Sequence, residues 1–466
     1  MKIDAVPPQR DEVETEPASI DMGALAQSLR ARASASVVVM WWTIFAVLVV
    51  ACIKPHPVSV SAVWVFVVVF VYIRSARRRS FRRNLAALPC FSRAAAVSPR
   101  KDWSRVTVLV PARNEEKNLE EAARSLASLN YPNLDLWFVN DHSTDSTPQI
   151  LDALQHDFPR IHVVHNPPIT EGWFGKSNAL WQTFLQIERD ENAPPPDQHW
   201  LLFADADVIF EPGLIEQAVA VAERDNLDYL TCMPRLVAKT WAEQFLLPNG
   251  WRGIIQGVEY ERLNDPRSFP IGIGAFMLVR YTSYRALGGH KALGQWHPED
   301  TLMAAAMKQI GGRVGLAWSP DILRVRFYHG YQEVKTHTLR KMRIFFGDRL
   351  HLPLTMLALR LSTSLIALPM MAVGILPQLL AGRFDPLLTA LAAAGVVLYV
   401  DEARESSGVE QIADFHPLVP WLHPIAGVLR VWFALSLIAQ IIANKPMDWR
   451  GRNEFGTTDS KPPNVS

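Results

Sequence analysis

Residues 105–116 read RVTVLVPARNEE, a short apolar run of β-forming residues that ends in a polar loop. The apolar part is continuous rather than alternating, which is typical of a strand buried on both faces of a parallel sheet. The pattern recurs downstream, with predicted strands at 134–139, 161–164 and 200–204 and predicted helices at 115–129, 147–158, 176–189 and 212–226. This alternation predicts an α/β fold with a mostly parallel sheet over residues 105–335.

Polar clusters follow the predicted strands, at the edge where parallel sheets bind ligands. They are PARNEE at 111–116, NDHSTD at 140–145, DAD at 205–207 and, farther on, WHPED at 296–300. Because the carboxyl ends of parallel strands meet at one edge, we expect these clusters to line a single site.

Asp205 and Asp207 are two residues apart after a buried strand, so on an extended backbone their carboxylates face the same side. One can face a ribose, while the other reaches a divalent cation such as Mg²⁺ or Mn²⁺, which prefers carboxylate oxygen together with substrate phosphate. A solvated turn produces the same pattern, so Asp-x-Asp alone is a weak signal.

Asp141 stands at the end of its strand and can accept a hydrogen bond from a nucleotide base, whereas Asp145 fits a helix cap equally well. Lys176 follows the glycine-bearing loop GWFG and opens a helix, which suits a phosphate or a neighbouring carboxylate; a surface lysine is the alternative. Glu299 and Asp300 begin a helix, where a carboxylate either complements the helix dipole or serves as a general base.

Two apolar runs, 36–53 and 58–73, follow a polar tail (1–35) that we expect to be disordered, and a KPHP break separates them. They predict a transmembrane hairpin over 36–74. The segment 75–104 is a basic linker whose arginines favour the cytosolic side, so the α/β domain that follows is expected in the cytosol.

The region 354–445 contains three further apolar candidates, at 361–380, 386–400 and 417–443. Three crossings would place the tail (446–466), with its nearby Lys445, Arg450 and Arg452, opposite the domain and against the charge rule. One run is therefore re-entrant or interfacial, or the tail breaks the rule. The segment 336–353 predicts a basic amphipathic helix that lies in the membrane interface; a helix packed on the domain is the alternative.

Net charge and cysteine content bear on the partners and on the cellular compartment. The net charge of +1 gives no reason to expect a nucleic-acid partner. The three cysteines, Cys52, Cys90 and Cys232, are scattered without metal-ligand spacing, which fits a reducing compartment.

At its polar clusters the chain resembles a family 2 glycosyltransferase of the GT-A fold, over about half its length. The matching stretches are 111–116, 141–147, 205–207 and 299–300, in the family's order. The resemblance implies that Asp207 binds a divalent metal (Mg or Mn) and that Asp300, with Glu299 beside it, is the catalytic base of a single inverting displacement. The implied nucleotide-sugar contacts are Pro111, Arg113, Glu115, Asp141, Lys176 and Asp205.

A narrower similarity is to membrane-bound lipid glycosyltransferases of the ceramide glucosyltransferase and hopene-associated type, carried by 172–176, 264–267 and 449–452. It implies a UDP-sugar donor, a lipid acceptor and a multi-pass protein, with the bacterial inner membrane favoured. Arg340 and Arg343 match a motif on the acceptor and diphosphate side, but Ile344 replaces its tryptophan, which disfavours a processive polysaccharide synthase. A non-catalytic membrane scaffold is the other alternative, and the retained acidic residues argue against it.

Overall fold

The structure is a computed structural model that describes residues 20–28, 35–95, 97, 100, 102–189, 198–247, 255, 258, 260–407, 411–443, 447–449 and 452–455. The described strands are β1 (Arg105–Ala112), β2 (Leu134–Asn140), β3 (Ile161–His165), β4 (His199–Phe203), β5 (Val208–Phe210), β6 (Tyr229–Met233), β7 (Arg235–Leu236), β8 (Met277–Arg280), β9 (Val314–Trp318), β10 (Leu323–Val325), β11 (Met447–Trp449) and β12 (Arg452–Phe455).

Seven of the described strands form the central sheet, in the order β3-β2-β1-β4-β8-β6-β9. Strands β3, β2, β1 and β4 are parallel, β8 is antiparallel to both β4 and β6, and β6 is parallel to β9. Strands β1 and β4 are almost wholly buried, as continuous apolar runs predict. The predicted α/β class with a mostly parallel sheet is confirmed; the antiparallel strand β8 was not predicted.

The described helices are α1 (Met22–Ser28), α2 (Ala35–Ile53), α3 (Pro57–Ala87), α4 (Leu119–Ala127), α5 (Thr147–Asp157), α6 (Gly175–Ile187), α7 (Leu214–Arg224), α8 (Trp241–Leu246), α9 (Tyr281–Leu287), α10 (Gly289–Leu293), α11 (Glu299–Gln309), α12 (Tyr331–Phe346), α13 (His351–Arg360), α14 (Ala367–Ala381), α15 (Pro386–Ser406) and α16 (His423–Ile442). A π-helical turn, Leu361–Leu365, joins α13 to α14.

Five segments among the described helices are long and apolar enough to cross a membrane. They are Ser36–Ile53, Pro57–Ala87, His351–Ala381, Pro386–Glu405 and Val419–Ile442. Buried residues of α2, α3, α14 and α15 pack together in a core of their own. Arg74 and Arg78 of α3 form ion pairs with Asp401 and Glu405 of α15 at one end of this bundle.

Two predicted boundaries change. The tail was predicted to be disordered to residue 35, but α1 is a helix because Met22 is buried in the domain core and Leu25 packs against it. The basic linker begins inside a helix, since α3 continues to Ala87 and carries its arginines on helical turns. Residues 1–19 and most of the C-terminal tail lie outside the described residues.

Helix α12 covers most of the predicted amphipathic segment but begins five residues earlier, at Tyr331. Its apolar side packs against protein: Leu339 is buried with Phe433 and Leu437 of α16, and Met342 and Phe346 lie against the same cluster. The apolar stripe therefore joins the catalytic domain to an apolar helix.

Candidate active site

The loops after β1 and β2 are tied to each other by hydrogen bonds. The Asp145 carboxylate accepts from the backbone N–H groups of Glu116 (3.2 Å) and Thr147 (3.0 Å). The Thr144 N–H donates to the Asn114 side chain (2.8 Å), and that asparagine takes a left-handed backbone with φ of 53°. Asp145 thus ties the loop after β1 to the first residue of α5, so its contacts within the protein are structural.

Asp141 is buried at the end of β2. Its backbone carbonyl accepts a hydrogen bond from Arg113 Nη1 at 2.7 Å. The Arg113 side chain thus connects the loop after β1 to the loop after β2. Glu115 donates its N–H to Thr147 (2.9 Å), and Pro111 lies in β1 opposite Val139 of β2. The residues predicted to contact the nucleotide therefore share one edge of the sheet.

Lys176 joins two of the predicted clusters. Its Nζ lies 2.6 Å from Asp205 Oδ1 and 2.8 Å from Glu299 Oε1, so one ammonium bridges the carboxylates after β4 and at the start of α11. The preceding loop is anchored because the Phe174 N–H donates to the Gly294 carbonyl at 2.8 Å. Lys176 is therefore half-buried and paired with two carboxylates, rather than a lysine that faces only solvent.

Asp300 is held by a glycine-containing loop that precedes β8. Its Oδ2 accepts from the Gly274 N–H at 3.1 Å, and its Oδ1 accepts from the Thr301 N–H at 2.6 Å. A Cβ at Gly274 would lie 3.0 Å from Asp205 Oδ2, so Asp205 and Asp300 flank this one glycine. Sequence reasoning missed this loop, although the alternating glycines of PIGIGAF (270–276) were a visible signal.

The two neighbouring carboxyl groups at the start of α11 have different electrostatics. Burial opposes ionisation of Glu299, but the Lys176 ammonium and then His297, 3.1 Å away, hold the pKa of that carboxyl well below its usual range. Burial first, and the charge of Glu299 second, raise the pKa of Asp300. Glu299 is thus a paired anion, while Asp300 is the stronger proton acceptor, as expected of a general base.

The glycine at position 272 allows the loop to touch α11. A Cβ there would lie only 1.9 Å from the Asp300 carbonyl oxygen, a backbone atom that cannot rotate away. We expect Gly272→Ala to destabilise the protein by about 1–3 kcal/mol through overpacking and to lower turnover by displacing Asp300. The melting temperature of Gly272→Ala measures the destabilisation, and its rate of sugar transfer measures the loss of turnover.

The comparison variant is Gly274→Ala, whose Cβ would meet the ends of the Asp205 and Lys176 side chains at 3.0 and 3.1 Å. These side chains can shift, so its loss of unfolding free energy should be smaller. Equal melting temperatures for wild type and Gly272→Ala would contradict the close contact.

The donor set fits a hard divalent cation. Asp205 and Asp207 offer carboxylate oxygens between β4 and β5, and both side chains are half-buried. In the part of the chain that the structure describes, no three His, Cys, Asp or Glu side chains converge to hold an ion. A site completed by substrate phosphates needs only one or two protein carboxylates, so the pair remains suitable.

Among the basic residues of α12, Lys341 lies over two aromatic rings of the segment between β10 and this helix. Its Nζ lies 5.5 Å from the ring centre of Phe327 and 5.8 Å from that of Tyr328. Desolvation opposes the shift, but Tyr328 first, and then Asp300 and Asp205, raise the pKa of the Lys341 ammonium. Arg343 instead pairs with Asp348 at 2.7 Å, and Arg340 is half-buried on the same helix.

Comparison with known protein families identifies the central region. Residues 107–288 match Glycosyl transferase family 2. This region is a family 2 glycosyltransferase domain. The match contains the loops after β1, β2 and β4 with Asp141, Lys176, Asp205 and Asp207, and it ends before α11. The family 2 domain and the mostly parallel sheet agree with the GT-A class expected from the motifs.

Curated relatives of the family 2 domain include enzymes named for lipid substrates. A 4,4'-diaponeurosporenoate glycosyltransferase of Staphylococcus aureus is 27% identical over 232 residues, which cover 48% of this chain and 54% of that protein. A beta-monoglucosyldiacylglycerol synthase of Synechocystis sp. is 38% identical over 90 residues, or 19% of this chain and 18% of that protein. The aligned part thus spans about half of the first relative and less than a fifth of the second.

Among solved structures, a mannosyltransferase from Pyrobaculum calidifontis in complex with GDP-Man and Mn²⁺ matches 83% of this chain and 99% of its own chain. Its TM-score is 0.48 and its sequence identity is 16%.

Proposed function

We propose that this protein transfers a single sugar from a nucleotide-sugar to the hydroxyl of a lipid at the membrane, with inversion at the anomeric carbon. The observation that carries the proposal is the convergence of Lys176, Asp205, Glu299 and Asp300 at one edge of a family 2 domain. Apolar helices on both sides of the domain, and relatives named for lipid glycosylation, support a lipid acceptor.

The residues divide the chemistry between them. Asp141, buried at the end of β2, accepts a hydrogen bond from the nucleotide base. Asp207 would hold a divalent cation whose charge, when bound, offsets that of the diphosphate leaving group. Lys176 fixes Asp205 near the ribose and keeps Glu299 ionised.

Asp300 removes the proton of the acceptor hydroxyl as its oxygen attacks the anomeric carbon. The bond from that carbon to the diphosphate oxygen breaks in the same step, and the electron pair leaves with the nucleoside diphosphate. One displacement inverts the configuration. We assign the base to Asp300 rather than Glu299 because burial raises the pKa of Asp300, whereas the pKa of Glu299 is lowered by its pairing with Lys176.

The test is incubation of membranes containing the protein with a panel of radiolabelled nucleotide-sugars, including UDP-glucose, UDP-N-acetylglucosamine and GDP-mannose. We expect label in the lipid extract, in a species one sugar heavier than an endogenous lipid by mass spectrometry. Labelled polymer would support the processive alternative, against which Ile344 argues. No transfer from any donor, with nucleotide binding intact, would support the scaffold alternative.

Lys341 provides a prediction for donor binding. Both neighbours of Lys176 are carboxylates, so its charge is already balanced, and the diphosphate requires another cation besides the metal. We expect Lys341→Met to raise the KM for the donor about tenfold, as loss of one charge-assisted hydrogen bond would. Calorimetric binding of inorganic diphosphate should weaken by a similar factor.

The matched control is Lys335→Met on the same helix, which should leave both measurements unchanged. A change confined to the acceptor KM would place Lys341 on the acceptor instead. Unchanged diphosphate binding in the Lys341 variant would exclude the donor contact.

A further inference from the structure

Helix α16 begins at the end of the membrane bundle that faces the catalytic domain. The Tyr399 hydroxyl of α15 donates to the Trp421 carbonyl just before α16, and the Tyr399 ring lies 4.6 Å from that of His423. Tyr399 precedes Asp401 by two residues, and Asp401 pairs with Arg78 at 2.7 Å, within the basic part of α3 that leads into the domain. This end of α16 is therefore on the domain side.

The other half of α16 also contacts the domain side. Phe433 and Leu437 are buried against Leu339 of α12, and Phe433 lies 6.2 Å from the ring of Tyr331. Arg430 Nη2 donates to the Phe245 carbonyl of α8 at 3.3 Å. A helix that crossed the bilayer from the domain side would take its second half away from α8 and α12.

The bundle core is built without α16. Its buried members come from α2, α3, α14 and α15 and the residue preceding α14, and the described residues of α16 contribute none. Gly427 instead meets the π-helical turn, where an added Cβ would lie 3.0 Å from Leu365 and 3.1 Å from Ser364. Thus α16 lies alongside the domain-facing end of the bundle.

One face of α16 is apolar and exposed. It is formed by Ile425, Val428, Trp432, Leu435 and Ile442, whose spacing of three, four, three and seven residues places them on one side of the helix. The opposite face, with Ala426, Phe433, Ala434 and Leu437, is buried in protein. A contiguous apolar helix face of this kind marks contact with lipid or protein.

We propose that α16 does not cross the membrane but lies in the headgroup layer on the domain side, with its exposed face in the lipid of that leaflet. Lipid is the occupant because α16 continues the membrane bundle through Gly427 and the π-helical turn. The crossing helices are then α2, α3, the α13–α14 segment and α15, an even number. Such a topology returns the C-terminal tail, with Lys445, Arg450 and Arg452, to the domain side, as the charge rule favours.

Placing α16 there also extends a lipid-contacting surface to the active site. Helix α12 packs on α16 through Leu339, and the loop that leads into α12 contacts the loop after β1, since His329 Nε2 lies 2.9 Å from Asn118 Oδ1. The segment from this loop to α12 therefore connects α16 with the edge of the sheet that carries the site. This part of the inference rests on the proposed function, whereas the position of α16 does not.

The sidedness of the tail tests the proposal. In a background without the three native cysteines, single cysteines are introduced as Glu120→Cys in the domain, Arg383→Cys in the α14–α15 connection and Ser460→Cys in the tail. A membrane-impermeant maleimide is applied to inside-out and right-side-out vesicles. We expect the maleimide to label Ser460→Cys in the same vesicle orientation as Glu120→Cys, and Arg383→Cys in the opposite orientation. Labelling of Ser460→Cys in the same vesicle orientation as Arg383→Cys would overturn the proposal.

Depth in the bilayer is a second, independent measurement. Val428 of α16 and Val65 of α3 are both exposed valines, at 57% and 66% of their surface, and each is replaced by a spin-labelled cysteine. Collision rates with oxygen and with a water-soluble nickel chelate give the depth. We expect the Val428 label within about 10 Å of the headgroups and the Val65 label near the bilayer centre. Equal depths for the two labels would contradict the proposal. This outcome does not depend on whether the protein transfers sugar.

Discussion

Replacing Asp300 with asparagine is expected to lower sugar transfer about 10³-fold, within the range attributed to a general base. The amide keeps the shape of the carboxylate but cannot accept a proton from the acceptor hydroxyl. The two oxygens of Asp300 accept from the N–H groups of Gly274 and Thr301, and the asparagine oxygen can keep one of these hydrogen bonds, whereas the amide NH2 group cannot accept the other. Neither bond involves Asp141 or Lys176. Nucleotide binding should therefore change little, and calorimetry with and without Mn²⁺ checks it.

The pH dependence of the same reaction gives a second test of the base. Burial and the neighbouring Glu299 charge raise the pKa of Asp300 above its ordinary value of 3.8. Transfer in the wild type should therefore fall as the pH drops through that raised value, because the base becomes protonated. The control is Asp225→Asn, an aspartate paired with Arg224 on α7, which should leave both rate and profile unchanged. If Asp300→Asn keeps more than a tenth of the activity, the base lies elsewhere.

Removing the cation of Lys176 should damage the site in a different way. Lys176→Met leaves Asp205 and Glu299 without their shared partner, close to Asp300. Breaking a buried ion pair costs about 3–5 kcal/mol, and the partial exposure of Lys176 reduces our expectation to about 2–3 kcal/mol. For a domain of this size that corresponds to roughly 5–10 °C in melting temperature. Donor binding should weaken as well, because Asp205 loses its fixed position.

The pH dependence of this destabilisation has a definite sign. In the wild type, the lowered pKa of Glu299 contributes stability that is present above the unfolded value of about 4.5 and is lost as the pH falls through the folded value. In Lys176→Met the same carboxyl keeps only His297 as a partner and lies beside Asp300, so protonation relieves its repulsion. The difference in melting temperature should therefore narrow as the pH is lowered from about 7 to about 5. Lys176→Arg keeps the charge and should recover most of the stability, whereas a pH-independent difference would indicate lost packing instead.

Much of the fold was predictable because its signals are local. A continuous apolar run such as 106–110 identifies a strand with two buried faces, and β1 extends it by one residue at its start and two at its end. The antiparallel strand β8 could not be found in this way, since its direction depends on pairing with β4 and β6. Likewise, the short apolar helix α1 was taken for disorder, because its stability comes from contacts with the domain rather than from its own seven residues.

In the candidate site, too, some features were predictable from local sequence and others depended on tertiary contacts. Asp141, Asp205, Asp207 and Asp300 were identified because each acidic cluster follows a strand or begins a helix. Their partners were not all foreseen: the Lys176 bridge joins residues 29 positions apart in one case and 123 in the other. On α12, the family resemblance selected Arg340 and Arg343, whereas the contacts of Lys341 with Phe327 and Tyr328 were not foreseen.

The sequence by itself determined the α/β class, the positions of the acidic clusters and the presence of apolar helices on both sides of the domain. Each follows from hydrophobic periodicity and from charges within a few residues of one another. Only the tertiary structure decided which carboxylate is paired with a cation and which keeps a raised pKa, and against what α16 packs. Those properties arise from burial and from contacts between distant segments, where electrostatic energies depend on the surroundings of a residue rather than on its neighbours in the chain.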